Sequence, residues 1–288
     1  MDRMFDRFGR DLGALCEKRL FLLDLDGTLY EEERLFPDSL AFLRNVRRRG
    51  GDYVYISNNS SRSVSAYIEK LARLGIASEA SDFLISTDAA IRYIQKQYPG
   101  QLVFAMGTRS FLAELRAAGI PVTEAVDPAV AVVLMAYDTE LNYEKLTNIC
   151  EILSTREPEL PFIATNCDLV CPCRFGFVPD CGSVAEMIVH ATGRRPRFLG
   201  KPEATMLELA REMKGVPREA CCVIGDRLYT DIAAGQAAGM TSICVLSGEA
   251  RLDDVAAMTV RPDYTVDDIA VIRRLLEAPI TGKDSSAP

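Results

Sequence analysis

Apolar runs of strand length alternate with amphipathic stretches of helix length along most of the chain. Arg19–Leu25 (RLFLLDL) is almost continuously apolar, as a strand buried on both faces of a parallel sheet should be. Pro37–Arg49 reads as a helix with proline at its start and Gly50 at its end, and Asp52–Ser57 as the next strand. In Ser63–Leu74 the residues Val64, Tyr67, Ile68, Leu71 and Leu74 recur at helical spacing, and Gly75 closes the helix. The rhythm predicts further strands at Leu102–Ala105, Val130–Ala136, Phe162–Thr165, Ala220–Ile224 and Thr241–Leu246. It predicts helices at Ser110–Ala118, Tyr143–Ser154, Ser183–Thr192, Glu203–Met213, Thr230–Ala238 and Asp267–Leu276. Such alternation points to an α/β fold, an open doubly wound parallel sheet with helices on both faces. Near the N-terminus, Met4, Phe5, Phe8, Leu12 and Leu15 also fall at helical spacing. They predict a helix packed on its own core, with a homodimer contact as the alternative; Gly9 and Gly13 weaken that helix by up to ~1 kcal/mol each.

Length and composition narrow the classes. A chain of 288 residues suggests two domains, and 48% hydrophobic with 26% charged residues is ordinary for a soluble globular protein. The net charge of −8, without a long basic run, argues against nucleic-acid or anionic-membrane partners. No apolar run reaches the length of a membrane span, and the charged N-terminus does not read as a secretory signal. Nine cysteines, an odd number, suggest free thiols and a cytoplasmic protein. The single histidine, His190, lies on an expected helix and reads as a packing or surface residue. Acid–base chemistry would then fall to carboxylates, and a multi-histidine metal site is excluded.

Four strand or loop ends carry polar groups that apolar packing would not select, at the position where open α/β sheets bind ligands. Asp24-Leu25-Asp26-Gly27-Thr28 follows the first strand, and Gly27 permits a sharp turn. Ser57-Asn58-Asn59-Ser60 follows the second; these residues could bind an anion or simply cap the next helix. Gly200-Lys201-Pro202 places a lysine at the opening of a helix. Gly225-Asp226-Arg227-Leu228-Tyr229-Thr230-Asp231 ends a buried strand with two more carboxylates. Paired acids without a matching base suggest a hard cation such as Mg²⁺.

In order and composition these four segments resemble the motifs of the haloacid dehalogenase superfamily of phosphohydrolases: DLDGT, SNN, GKP and GDRLYTD. Only 33 positions separate Asp24 from Ser57, whereas 144 separate Ser57 from Lys201, room for a whole inserted domain. That spacing, with ATNCDLVCP and GFVPDCGS before the third motif, is similar to the type IIA branch, which includes p-nitrophenyl phosphatases and sugar and nucleotide phosphatases. The resemblance runs from about Leu20 to Ser247. It implies a Rossmann-type catalytic core at 1–86 and 191–288 and an α/β cap at 87–190. It further implies a Mg²⁺-dependent phosphatase of small phosphorylated metabolites, working through an aspartyl-phosphate.

Carried onto this chain, the resemblance makes Asp24 the nucleophile and Asp26 the general acid, then base. Mg²⁺ would be held by Asp24, the backbone carbonyl of Asp26 and Asp226, with Asp231 as an outer or water-mediated partner. Lys201, Ser57 and Asn58 would stabilise the phosphoryl group. An acid at Asp26 favours phosphoryl transfer over dehalogenation. Substrate choice would lie in a cap loop at Asn166–Gly182, with Asn166, Asp168 and Arg174 as candidates. This segment departs from the family at Cys167 and Phe175. Its cysteines (Cys167, Cys171, Cys173, Cys181) match no zinc spacing and read as free thiols. Two rivals share the scaffold: a non-catalytic phospho-ligand-binding or regulatory protein, against which the intact motifs argue, and a phosphotransferase.

Overall fold

The structure, a computed structural model, describes residues 3–61, 63–173 and 175–277. In chain order the strands are β1 (Leu20–Leu23), β2 (Tyr30–Glu31), β3 (Arg34–Leu35), β4 (Asp52–Ser57), β5 (Phe83–Ile85), β6 (Val103–Met106), β7 (Val122–Thr123), β8 (Val132–Met135), β9 (Phe162–Ala164), β10 (Val170–Cys173), β11 (Gly176–Pro179), β12 (Arg197–Phe198), β13 (Cys221–Gly225), β14 (Thr241–Val245) and β15 (Tyr264–Val266). The helices are α1 (Ser39–Arg48), α2 (Val64–Arg73), α3 (Ser86–Gln97), α4 (Arg109–Ala117), α5 (Tyr143–Thr155), α6 (Cys181–Thr192), α7 (Thr205–Lys214), α8 (Ala233–Ala237), α9 (Leu252–Ala257) and α10 (Ile269–Glu277). The chain divides into two compact units. One takes the described residues of Met1–Tyr55, Lys70–Ser78 and Ala210–Pro288; the other takes Ile56–Glu69 and Glu79–Leu209. This division draws 56–69, 79–86 and 191–209 into the same unit as 87–190.

In the first unit, parallel strands run in the order β15-β14-β13-β1-β4. β1 is buried at every position and has a partner on each side, which explains its unbroken apolar run. The register Leu23↔Ile224 brings the C-terminal ends of β1 and β13 side by side.

The N-terminal stretch is not the expected helix; only Leu12–Glu17 forms a short 3-10 turn. Gly9 takes a positive φ of 78°, and the Asp6 carboxylate accepts from the amides of Phe8 (2.9 Å) and Arg10 (2.8 Å), so the chain turns instead. The Arg7 amide donates to Thr265 (2.8 Å) and the Thr265 amide to Asp6 (3.1 Å), covering the free edge of β15.

The second unit holds its own parallel sheet, β12-β9-β8-β6-β7. Phe104, Met135, Phe162 and Ile188 belong to the apolar cluster on one face, and Phe111, Leu134 and Leu199 to that on the other. The expected loop at Asn166–Gly182 contains a hairpin, β10 antiparallel to β11. His190 is exposed on α6, and all nine cysteines are free. Among the described residues no helix is long and apolar enough to cross a membrane.

Candidate active site

In the first unit the ladder of β1 continues one residue, the Asp24 amide donating to the Ile224 carbonyl (2.9 Å). The chain then turns tightly on the Leu25 carbonyl, which accepts from the Thr28 (3.3 Å) and Leu29 (2.9 Å) amides. Gly27 has φ +80°, and a Cβ there would stand 2.4 Å from Asp226 Oδ2, so both backbone and space demand glycine. Gly248 presses on Asp226 from another loop, where a Cβ would lie 2.0 Å from the same oxygen.

Asp226, immediately after β13, is 3% exposed. Its Oδ2 accepts from the Glu249 amide (2.7 Å), while Oδ1 is buried with no hydrogen-bond partner among the described residues. Asp231 sits on a single π-helical turn, Leu228–Ile232, and its Oδ2 accepts from the Arg227 amide (3.1 Å). Asp24, Asp226 and Asp231 each offer a carboxylate oxygen, all within 4.8 Å of one another. Burial, reinforced by the Asp231 charge, pushes the Asp226 carboxyl up to about 6.

Three clustered hard oxygen donors and an orphaned buried oxygen suit a divalent cation of the Mg²⁺ class. Asp231, expected as an outer or water-mediated partner of the metal, has its carboxylate oxygen within 4.8 Å of those of Asp24 and Asp226. The Asp26 side chain lies outside this three-carboxylate group and is largely exposed. Its Oδ2 lies 3.7 Å from Nζ of Lys70, a residue the sequence reading missed.

In the second unit the remaining motifs meet. Ser57 ends β4, and its hydroxyl shares a hydrogen bond with the Tyr67 hydroxyl (3.0 Å). Asn58 and Lys201 are both buried. The Lys201 amide donates to Asn58 Oδ1 (2.8 Å), and Asn58 Nδ2 donates to the Lys201 carbonyl (2.9 Å) and to Asp168 Oδ2 (2.7 Å). Lys201 Nζ donates to the Ile56 carbonyl (3.2 Å). Asn166 and Asp168, expected on a cap loop that sets substrate choice, are 0% and 4% exposed; Asn166 Nδ2 donates to Asp168 Oδ2 (2.9 Å) and Asp180 Oδ1 (3.0 Å). Buried polar groups of this kind must satisfy one another, which removes them from the surface. Arg174 lies outside the described residues.

The profile of the haloacid dehalogenase-like hydrolases matches residues 21–121, and that of the HAD-hydrolase-like family matches 198–272. An acid sugar phosphatase of Staphylococcus aureus is 31% identical over 251 residues, 87% of this chain and 95% of its own length. The chain belongs to the haloacid dehalogenase-like hydrolases. Among solved structures, a 4-nitrophenylphosphatase from Thermotoga maritima superposes with a TM-score of 0.85 at 32% identity, covering 91% of this chain and 98% of its own. A glycerol phosphate phosphatase from Mycobacterium tuberculosis, solved in complex with magnesium, gives 0.82 at 26% identity, covering 91% and 78%. The resemblance expected from the four motifs, and the parallel-sheet α/β fold it implied, therefore hold. In this family setting Gly248 and Lys70 are the additions that sequence reasoning lacked: no strand end flags either one.

Proposed function

We propose that this protein is a phosphomonoester hydrolase acting on small phosphorylated metabolites, with Asp24 as nucleophile and Mg²⁺ as cofactor. The supporting observation is the meeting of Asp24, Asp226 and Asp231 beyond the paired ends of β1 and β13, with Asp226 Oδ1 left without a hydrogen-bond partner among the described residues. A carboxylate approaching a phosphate dianion meets repulsion of about 4 kcal/mol per pair of unit charges at ~4 Å and an effective dielectric of ~20. Bound Mg²⁺ would neutralise that repulsion and orient the phosphoryl oxygens. Asp24, Asp226 and the Asp26 carbonyl would hold it, with Asp231 completing the acidic cluster.

The Asp24 carboxylate then attacks phosphorus, forming an aspartyl-phosphate and releasing the alcohol, to which Asp26 gives a proton. Asp26 afterwards removes a proton from water, which attacks phosphorus and frees Asp24. Lys201 and Ser57 bring positive charge and a hydroxyl donor to the anionic phosphoryl group. The Asn58 side chain is engaged with Lys201 and Asp168 beside them. The second unit corresponds in this reading to the cap and its flanking motifs. Names among the relatives, acid sugar phosphatase and glycerol phosphate phosphatase, favour a phosphorylated sugar or polyol.

The test is hydrolysis of p-nitrophenyl phosphate and a panel of sugar and polyol phosphates. Turnover should be abolished by chelator, restored by Mg²⁺ and lost in Asp24→Asn. Release of free phosphate equal to alcohol released supports hydrolysis; transfer to an acceptor other than water would make the protein a phosphotransferase.

A further inference from the structure

We propose that Asp168 is a positioning residue for Lys201, acting through Asn58, rather than a reader of the substrate's leaving group. The inference rests on the phosphatase reading above and concerns how Lys201 is held. Asn58 grips the Lys201 main chain from both sides, accepting from its amide at 2.8 Å and donating to its carbonyl at 2.9 Å. Its second amide proton goes to Asp168 Oδ2 at 2.7 Å, so both N–H bonds of the Asn58 side chain are engaged inside the protein. Asp168 Oδ2 also accepts from Asn166 Nδ2 at 2.9 Å, and the other Asn166 N–H reaches Asp180 Oδ1 at 3.0 Å. Asp180 caps the N-terminus of α6 through the Cys181 amide. A continuous buried relay therefore runs from the start of α6 through Asp180, Asn166, Asp168 and Asn58 to the backbone of Lys201.

The chemistry at 168 suits this role. A side-chain carbonyl-type oxygen has the two lone pairs needed to accept from two amide donors at once, as Asp168 Oδ2 does here. At 4% exposure Asp168 has little surface to offer a ligand. The neighbouring glycine follows the same logic: a Cβ on Gly200 would stand 2.6 Å from Asn58 Oδ1 and 2.7 Å from the Thr165 carbonyl, wedging the clamp open. With its main chain fixed, Lys201 sends its ammonium to the Ile56 carbonyl at 3.2 Å, at the end of the strand that carries Ser57. A small displacement of a charge-stabilising group can cost about 10²-fold in rate.

A double-mutant cycle tests this. Wild type, Asp168→Ala, Lys201→Ala and the double variant are compared for inorganic phosphate binding by calorimetry in the presence of Mg²⁺. The first two are also compared for kcat/KM on p-nitrophenyl phosphate and two sugar phosphates. Asp168→Ala should lower kcat/KM by about 10²-fold, by the same factor on all three esters. It should weaken phosphate binding in the wild-type background and have no further effect once Lys201 is alanine. Asp168→Asn, which keeps the volume and one acceptor oxygen, should recover most of the loss. If Asp168→Ala does not fold, Asp168→Asn takes its place in the cycle, and its smaller effect should likewise vanish beside Lys201→Ala. Losses that differ between esters, additive losses in the double variant, or no loss at all would overturn the proposal. A wild type that binds phosphate but hydrolyses none of the esters would instead count against the phosphatase reading and leave the binding cycle to decide this one.

Discussion

The ammonium of Lys70, a buried residue on α2, lies 3.7 Å from the exposed carboxylate of Asp26. It is also 4.0 Å above the centre of the Tyr30 ring. Attraction to the aromatic face holds the ammonium in place, so Lys70 presents a fixed group to Asp26. If Asp26 moves the proton in both half-reactions, its orientation matters more to turnover than to binding. Lys70→Met should lower kcat by up to about 10²-fold, the lower end of the range credited to a positioned acid–base group, with little change in KM. Steady-state kinetics beside a circular dichroism check would show it; unchanged kcat would separate Lys70 from the chemistry.

Gly248 offers a cleaner probe of the metal cluster than Gly27, because only Gly27 has a positive φ. In Gly248→Ala the new methyl would press on Asp226 Oδ2, the oxygen that accepts from Glu249. Mg²⁺ affinity, read by calorimetry, should fall at least about tenfold, as when the support of a metal ligand is lost. Equal affinity in the variant would show that Asp226 is not a ligand.

The pH response of metal binding follows from Asp226. Its carboxyl is raised to about 6 by burial and by Asp231, so the ionised form is the strained one in the metal-free protein. Stability of that form therefore falls as pH rises from the ordinary carboxylate value through about 6, and a cation relieves the repulsion only once the proton has left. The gain in melting temperature on adding Mg²⁺ should be large at about pH 8 and small at about pH 5. A gain independent of pH would contradict the assignment.

Glu114 on α4 gives a second, independent pH effect. Burial, with Asp88 adding like charge, raises its carboxyl to about 7. A raised acid contributes its stability below the unfolded value and loses it as pH climbs through the folded one. Glu114→Gln should thus melt higher than wild type at about pH 8 and no higher at about pH 4, the gain staying below ~1 kcal/mol because the side chain is only half-buried. Thermal melts at the two pH values decide this; a variant less stable at the higher pH would refute it.

Much of the site is legible in the sequence because polar groups at the ends of apolar strands have few structural reasons to be there. Asp24, Asp226 and Lys201 stand out on that ground, and their order names the superfamily. Lys70 does not, since a lysine within an amphipathic helix looks like any solvated charge until the fold buries it. Asn166 and Asp168 are visible as polar residues, but Asn58, which donates to Asp168, lies more than a hundred positions away. The apolar spacing of Met4, Phe5, Phe8, Leu12 and Leu15 was misleading for a local reason: Asp6 and Gly9 favour a turn, and pairing with the edge of β15 outweighs helix formation. The β10–β11 hairpin and β5 escaped because short strands lack a period long enough to read.

Whether Asp24 is the nucleophile is decided by quenching the protein during turnover of a ³²P-labelled phosphomonoester with Mg²⁺ and mapping the label. An acid-stable, hydroxylamine-labile acyl phosphate is expected on Asp24 and absent in Asp24→Asn. Label on any other residue, or full turnover with no labelled protein under conditions that slow the hydrolytic step, would contradict it.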